Sequence, residues 1–133
     1  MEIKVFTLDE ANRLIPTLSS WIEDLASKKK LFSVREADMY LQDALGAEGE
    51  SQLMTRVKEL EALAETINGR ITEIHGLGCE LKDIDQGLVD FLTVRANQLS
   101  YLCWKQGEDR IRFWHDLQSG FPGRKVLEDE QPK

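Results

Sequence analysis

Apolar residues at helical spacing open the chain. Thr7 and Glu10 are placed to form a capping box, in which the Thr7 hydroxyl and the Glu10 carboxylate each accept a backbone N–H at a helix start. A helix is therefore predicted to begin at Leu8. The apolar stripe that follows recurs every three or four residues and consists of Ala11, Leu14, Ile15, Leu18, Trp21, Ile22 and Leu25.

Proline and glycine residues predict where this first helix bends and where a turn follows it. Pro16 lacks a backbone N–H, so we expect a bend in the helix there but no break. The apolar pattern weakens after Leu25 and resumes at Leu31, which leaves two alternatives, a helix that continues to about Ala44 or one that breaks near Ser33. The segment Gly46–Gly49 then predicts a turn.

A second helix carries the most regular pattern in the sequence. It is predicted to run from about Ser51 to His75 and to end at Gly76 or Gly78. Its apolar residues alternate between spacings of four and three, a heptad seam typical of a coiled coil, and they are Leu53, Val57, Leu60, Ala64, Ile67, Ile71 and Ile74.

Two long amphipathic helices joined by a short turn predict an antiparallel hairpin. A hairpin alone leaves much of each apolar stripe in water, so the C-terminal third, a second copy of the chain, or both must cover it. We therefore expect a homodimer in which the helices self-associate. Replacing Ile67 of the seam by Asp would bury an unpaired charge and is expected to unfold or dissociate the protein.

The period of the apolar positions changes to about two in the C-terminal third. Three short strands are predicted at Cys79–Ile84, Leu88–Val94 and Leu99–Trp104, with turns between them that form a β-meander. Cys79 and Cys103 would lie on the two outer strands, about 9–10 Å apart, which is too far for a disulfide.

One more short helix is predicted near the end of the chain. Glu108 and Asp109 suit its start because their negative charges interact favourably with the helix dipole, and Gly120 is a natural stop. Its apolar side would consist of Ile111, Trp114, His115 and Leu117.

Together these elements predict an α+β protein, a long antiparallel helical hairpin followed by a small antiparallel β-meander and a short C-terminal helix. We expect a single domain over residues 1–133, with the hairpin over about 8–76, the sheet and short helix over about 79–125, and a frayed tail over 126–133. A chain of 133 residues is long enough to bury a core.

Composition and charge narrow the function classes. The chain is 41% hydrophobic and 31% charged, and no apolar run approaches the roughly 20 residues of a membrane helix. A net charge of −7 repels phosphate backbones and argues against nucleic-acid binding. The chain has only two cysteines and starts without an apolar export segment, which predicts a reduced cytoplasmic protein. With the charge and the apolar runs, we expect no binding to nucleic acid or membrane.

Short blocks along the chain occur in an order that resembles one family. They are Phe6–Asn12, Leu14–Pro16, Leu81–Phe91, Leu102–Trp104 with Gly107 and Glu108, Trp114–His115, Gly120–Phe121 and Gly123–Arg124. The ordered set covers nearly the whole chain, apart from about 29–52, and resembles the prokaryotic family catalogued as domain of unknown function 2203. The resemblance implies a small bacterial protein of no established activity and supplies no substrate or catalytic residues.

Acidic residues and a histidine of the C-terminal third form the first candidate site. Asp83 and Asp85 would point the same way if the first strand extends far enough, and could then converge on a hard cation. Asp90, Glu108 and His115 could join them, and a mixed carboxylate and imidazole set suits Mn, Fe or Zn. The alternative is that these carboxylates cap turns or lie on a solvated face.

The cysteine and the histidines also have two interpretations each. Cys103 could be a nucleophile with His115 as its base, but a small buried thiol in a β-core is the more common arrangement. On the predicted strand, Cys103 and Tyr101 share one face. His75 lies at the C-terminal end of the second helix, where its charge interacts favourably with the helix dipole.

Basic and aromatic residues form a second candidate site, for an anion. Arg112 and Arg124 offer guanidinium groups that bind phosphate or carboxylate, and Trp104 or Trp114 could stack on a ring. Because the stretch 79–94 is acidic and the stretch 95–125 is basic, the alternative is that the arginines pair with the aspartates.

Two classes of function follow. We expect a non-enzymatic cytoplasmic binding or scaffolding module that self-associates through its helices and needs no cofactor. The second hypothesis is a small metal- or anion-binding enzyme or ligand-binding protein, with a divalent metal at the C-terminal acidic cluster and no catalytic residue assigned. Convergence of that cluster in a concave pocket would favour the second class.

Overall fold

The computed structural model describes residues 4–46 and 48–127 of the chain. In these residues three α-helices precede a sheet of five strands, which confirms the predicted α+β order. The helices are α1 (Leu8–Arg13), α2 (Ile15–Ala44) and α3 (Glu50–Gly76). The strands are β1 (Glu80–Asp83), β2 (Leu88–Arg95), β3 (Gln98–Lys105), β4 (Phe113–His115) and β5 (Lys125–Val126).

The helix start is as predicted, but the first helix is divided. The Thr7 hydroxyl accepts from the Glu10 N–H at 3.1 Å, and the Glu10 carboxylate accepts from the Thr7 N–H at 2.9 Å. The prediction of an unbroken helix is wrong at Leu14, where α1 ends and α2 begins, because Pro16 cannot donate a helical hydrogen bond and is favoured in the first turn of a new helix. From there α2 continues without a break to Ala44.

α2 and α3 pack side by side as an antiparallel hairpin. Asp24 of α2 contacts Arg70 of α3 at 3.8 Å, while Asp38 contacts Arg56 at 3.0 Å. The two helices therefore run in opposite directions, as the sequence predicted.

The half of the hairpin away from the sheet has a thinner core than the half near it. Within the described residues, α2 buries nothing after Leu25, and α3 buries only Leu60 and Ile74, while the other seam residues are half-buried. On α2 this half carries exposed apolar side chains at helical spacing, called here the distal stripe, between 40% and 69% exposed: Leu31, Val34, Leu41 and Leu45.

The sheet is an antiparallel meander with the order β1-β2-β3-β4-β5. The prediction of a short helix from Glu108 is wrong, because Phe113–His115 forms a strand that pairs with the free edge of β3. Beyond this strand, the helical structure among the described residues is a 3₁₀ turn at Phe121–Gly123. Pairing satisfies the backbone groups of that edge, a long-range gain that helical spacing in the sequence does not reveal. The predicted meander is thus confirmed and extended by β4 and β5.

Alternation along the strands gives the sheet two faces of different character. The inner face packs against the helices and includes Val89, Phe91, Leu102 and Trp104. The outer face points away from them and includes Asp90, Tyr101, Cys103, Phe113 and His115.

A two-residue turn joins β2 to β3. Ala96 and Asn97 both have positive φ, 49° and 62°, as expected for the tight hairpin turn that matches strand twist. The eight register pairs of β2 and β3 then run from Arg95 opposite Gln98 to Leu88 opposite Lys105. The turn therefore sets which residues of the two strands face each other.

Two further observations bear on the environment of the protein. Both cysteines are buried free thiols, in agreement with the prediction of no disulfide. Among the described residues, no helix combines the length and the apolarity that a membrane span requires.

Candidate functional site

Three metal-ligating side chains converge on the outer face of the sheet. Asp90 of β2 lies directly opposite Cys103 of β3, and His115 of β4 lies opposite Tyr101, the next position on the same face. One donor atom from each of Asp90, Cys103 and His115 lies within 4.8 Å of the other two, and all three residues are buried. We call these three residues the outer cluster.

The hydrogen bonds of His115 restrict where its proton can be. Its Nδ1 lies 2.7 Å from the carbonyl oxygen of Asp116, and because a carbonyl only accepts, Nδ1 carries the hydrogen. Nε2 then lies 3.0 Å from Oδ1 of Asp90, with side chains only 2% and 6% exposed. A neutral imidazole presents a lone pair there, so a second proton or a metal cation must lie between nitrogen and carboxylate.

The thiol of Cys103 is held in its protonated form. Burial is the main cause that raises its pKa to about 12, and the negative charge of Asp90 raises it further, while the Arg124 guanidinium opposes both. Nucleophilic catalysis needs a thiolate near neutral pH, which this environment does not favour. A metal ion that displaces the proton would make the same sulfur a ligand.

A cavity of about 290 Å³ opens beside the outer cluster. Its other lining residues are Lys82, Leu88, Tyr101, Leu117, Gln118, Gly120 and Phe121. The part contributed by residues 117–121 is held by Asp116, whose Oδ1 accepts from the backbone N–H of Gln118 at 2.9 Å and of Ser119 at 2.7 Å. These backbone hydrogen bonds lower the pKa of Asp116.

Arg124 and Glu108 form a second charged group at the edge of the outer cluster. The Arg124 Nη2 donates to both Glu108 carboxylate oxygens, at 2.7 and 3.0 Å, and to the carbonyl of Cys103 at 3.1 Å. Glu108 Oε1 also accepts from the Lys105 N–H at 2.8 Å. Glu108 is therefore occupied by protein donors and does not face His115 as a fourth ligand in the cluster.

The other two predicted carboxylates lie elsewhere. A register irregularity falls between Leu81 and Asp83 at the end of β1, and the Asp83 carboxylate accepts from the Gln86 N–H at 2.9 Å. Asp85 pairs with Lys29 of α2 at 3.0 Å. The structure thus brings together Asp90 and His115 of the predicted metal set, and not the remaining three.

The four residues considered for an anion do not surround one site. Arg112 is half-exposed and pairs with Asp109 at 2.9 Å. Trp104 lies fully buried on the inner face, where its Nε1 donates to the Glu108 carbonyl at 2.8 Å. Trp114 is also on the inner face, opposite Leu102, whereas Arg124 packs on the outer face.

Sequence reasoning considered Cys103 with His115 as a nucleophile and its base, and missed it as a ligand in one set with Asp90 and His115. The signal was partial, because alternation already put Cys103 and Tyr101 on one strand face. The missing information was register, since only the pairing of β2 with β3 and of β3 with β4 places Asp90, Cys103 and His115 side by side.

Comparison with known proteins identifies the family to which the chain belongs. No curated protein and no solved structure matches the chain. The family model described as "Uncharacterized conserved protein (DUF2203)" matches residues 4–127, which is nearly the whole chain. The three residues of the outer cluster all lie within the matched range. The chain belongs to the DUF2203 family, as its ordered sequence blocks suggested.

Proposed function

We propose that the protein binds a divalent transition-metal ion of the zinc class through Asp90, Cys103 and His115. The observation that carries the proposal is the buried contact of 3.0 Å between His115 Nε2 and Asp90 Oδ1, made while Nδ1 is already committed to a carbonyl. A carboxylate, a thiolate and an imidazole together suit zinc and neighbouring transition metals, whereas calcium and magnesium prefer oxygen donors alone.

The distances in the outer cluster are compatible with such an ion after small adjustments. Bonds of about 2.0–2.3 Å in a tetrahedral arrangement separate the ligand atoms by about 3.3–3.7 Å. The three donor atoms here lie within 4.8 Å of one another, so shifts of about an ångström would complete the site. Ionised Asp90 and Cys103 would balance the two positive charges, which limits the cost of burying the ion.

Three protein ligands leave a fourth position open on a tetrahedral ion. The cavity of about 290 Å³ beside the cluster has room for a water molecule or a small ligand there. The histidine is already fixed as a ligand would be, because its Nδ1–H donates to a backbone carbonyl and directs Nε2 at the site. No catalytic step forms part of this proposal.

Metal titration of the chelator-treated protein tests the proposal. Cobalt(II) should bind one ion per chain and give the visible and near-ultraviolet absorption of a site with a thiolate ligand, and zinc should displace it. Cys103→Ser should remove the thiolate absorption. Cys79→Ser is the matched control, since Cys79 is also a buried thiol but donates to the Ile74 carbonyl at 3.4 Å, outside the cluster.

Two results would contradict the proposal. One is a wild-type protein that takes up neither cobalt nor zinc, in which case a second proton on His115 rather than a metal bridges it to Asp90. The other is a Cys79→Ser variant that loses the cobalt absorption as completely as Cys103→Ser, because the site would then lie elsewhere.

The second candidate function is self-association through the helical hairpin, as expected of a scaffolding module. The observation that favours it is the distal stripe, Leu31, Val34, Leu41 and Leu45, which gives α2 an exposed apolar face where the hairpin's own core is thin. Contiguous apolar surface of this kind marks interaction sites on soluble proteins. A second copy of the chain would cover it in a homodimer.

Sedimentation or light scattering tests this second candidate. The wild-type protein should be a dimer, and Leu41→Glu should be a monomer of unchanged helix content. Leu99→Glu is the matched control, because Leu99 is 48% exposed but lies at the start of β3, far along the chain from the stripe. A wild-type monomer, or a dimer that Leu41→Glu leaves intact, would exclude the distal stripe as the interface.

We further propose that the protein works in the cytoplasm. Its two cysteines are free thiols, and a thiolate ligand at Cys103 would persist in a reducing compartment. Localisation of the tagged protein by fractionation tests this; recovery in an exported fraction would contradict it.

A further inference from the structure

Arg124 is a nearly buried cation beside the outer cluster. Its side chain is 13% exposed and contacts two aromatic rings, with its guanidinium carbon 4.0 Å from the centre of Phe113 and 4.8 Å from that of Phe121. Phe113 is itself the residue opposite Cys103 on β4. Contact with two rings restricts the orientation of the guanidinium group.

The hydrogen bonds of Arg124 connect it directly to Cys103. Nη2 donates to the Cys103 carbonyl at 3.1 Å and to the Glu108 carboxylate at 2.7 and 3.0 Å. Glu108 is in turn fixed by the Lys105 N–H at 2.8 Å. Arg124 thus holds the backbone of β3 at Cys103 against the segment that follows the 3₁₀ turn.

One donor of the same guanidinium remains available. Among the described residues, the buried Nε of Arg124 has no hydrogen-bond acceptor. Leaving a buried donor unsatisfied costs about 1–3 kcal/mol, which calls for an explanation. The same guanidinium already reaches Cys103 through the bond from Nη2 to its carbonyl.

We propose that Arg124 is a positioning residue for Cys103, which fixes the backbone of β3 so that the sulfur lies at the metal and which places a positive charge beside that ligand. This inference rests on the proposed function and adds a residue outside the ligand set. It also assigns Glu108 a role, which is to hold the guanidinium in the orientation that reaches Cys103.

The same contacts argue against Arg124 as the receptor of an external anion. An anion would have to displace the Glu108 carboxylate from the guanidinium, which is also in contact with the rings of Phe113 and Phe121. A partly buried, pre-formed ion pair is better suited to supporting a neighbouring ligand.

The experiment compares cobalt(II) binding by Arg124→Gln and Arg124→Lys with binding by the wild-type protein. Arg112→Gln is the matched control, because Arg112 also has a buried Nε without an acceptor among the described residues, yet pairs with Asp109 on the surface. Arg124→Gln should bind cobalt about 10–100-fold more weakly, the usual effect of losing an outer partner of a metal ligand. Its thiolate-to-cobalt absorption band should shift or weaken, a change that a merely structural role would not produce.

Arg124→Lys keeps the charge but loses the planar fork, so we expect an affinity between those of the wild type and Arg124→Gln. If Arg124→Gln does not fold, the lysine variant and its spectrum carry the test. The proposal is overturned if either folded variant has the affinity and the spectrum of Arg112→Gln. Absence of cobalt binding by the wild type would overturn the metal proposal and this inference together, so the two failures can be told apart.

Discussion

The core residues on the inner face of the sheet and the outer cluster on its other face are both buried but differ in chemistry. On the inner face Val89, Phe91 and Trp104 are fully buried, with no exposed surface. On the outer face Asp90, Cys103 and His115 are 5%, 1% and 2% exposed. Burial therefore does not distinguish the hydrophobic core from the candidate site in this protein.

The faces differ in what covers them. The inner face packs against α1, α2 and α3, so its side chains exchange water for dispersion contacts and hydrophobic burial. The outer cluster is covered by the short segment around Leu117–Phe121, and its polar atoms depend on hydrogen bonds within the cluster and to the backbone.

This difference separates two reasons for burying a residue. Inner-face side chains are buried for stability, and polar groups among them bond to backbone carbonyls: Thr93 Oγ1 donates to the Phe6 carbonyl at 2.7 Å, and Trp104 Nε1 donates to the Glu108 carbonyl at 2.8 Å. The outer cluster buries groups that can carry charge, and their burial costs free energy. The fold itself does not require them to be buried. Replacements on the inner face should therefore affect stability more than metal binding. Replacements in the outer cluster should affect metal binding more than stability.

Trp104→Ala on the inner face should have the largest effect on stability. Removing a fully buried indole leaves a cavity and should lower the free energy of unfolding by about 3–5 kcal/mol. Denaturant titration of the metal-free protein measures this. A loss below about 1 kcal/mol would show that the inner face does not form the stabilising core.

His115→Leu on the outer face should have the next largest effect. It leaves the Asp90 carboxylate buried without its partner, which should cost about 3 kcal/mol in the metal-free protein. Adding Asp90→Leu should recover most of that loss, because replacing both members of a buried pair by apolar groups is often neutral. Both variants should bind no cobalt.

A double variant that keeps cobalt binding would contradict the assignment of the ligands. A double variant that stays as unstable as His115→Leu would show that the pair stabilises the fold, and that the outer face resembles the inner one more than we infer.

Ile67→Asp tests the helical layer that covers the inner face. Ile67 is half-buried and packs against the core, so an unpaired carboxylate there should cost about 2–3 kcal/mol. Thermal unfolding followed by circular dichroism measures the loss. Glu65→Asp on the exposed side of α3 is the control, and an Ile67→Asp variant as stable as that control would refute the register of α3.

The smallest expected effect is the pH-dependent part of the stability that Cys79 contributes, which changes only at alkaline pH and is absent in Cys79→Ala. Burial raises the pKa of Cys79 from 9.0 to about 11, so the folded state holds this proton more tightly than the unfolded state. The resulting stabilisation is fully present below about pH 9 and is lost as the pH rises to about 11, where the loss is on the order of 2 kcal/mol.

Stability curves against pH for wild type and Cys79→Ala measure this contribution as a difference. The two curves should run parallel up to about pH 9 and converge above it. Curves that stay parallel throughout would show that the Cys79 thiolate is not disfavoured in the folded protein.

Local patterns were enough to predict most elements of the fold. The capping box at Thr7 and the spacing of apolar residues located the helices, and alternation located β1 to β3. The error at Pro16 was one of degree, since a missing hydrogen bond divided the helix rather than bending it. Residues 113–115 were missed because their strand exists only through pairing with β3.

The candidate site could be predicted only in part. Asp90 and His115 were proposed together on composition, and the strand pairing brings them together. Asp83 and Asp85 were grouped with them on the assumption of a longer first strand, whereas the irregularity before Asp83 and the turn after it redirect both carboxylates. A local sequence pattern does not predict such an irregularity. It also does not predict that Arg124 pairs with Glu108, 16 residues away.

The two-residue turn at Ala96 and Asn97 has a consequence for how this chain tolerates changes in length. Side chains alternate with a period of two, so one residue inserted there would exchange the faces of β3 relative to β2. Cys103 would then point toward the helices and Trp104 toward the outside. Natural or engineered insertions at this turn should therefore come in pairs or be absorbed in a bulge, because an odd insertion dismantles core and site at once.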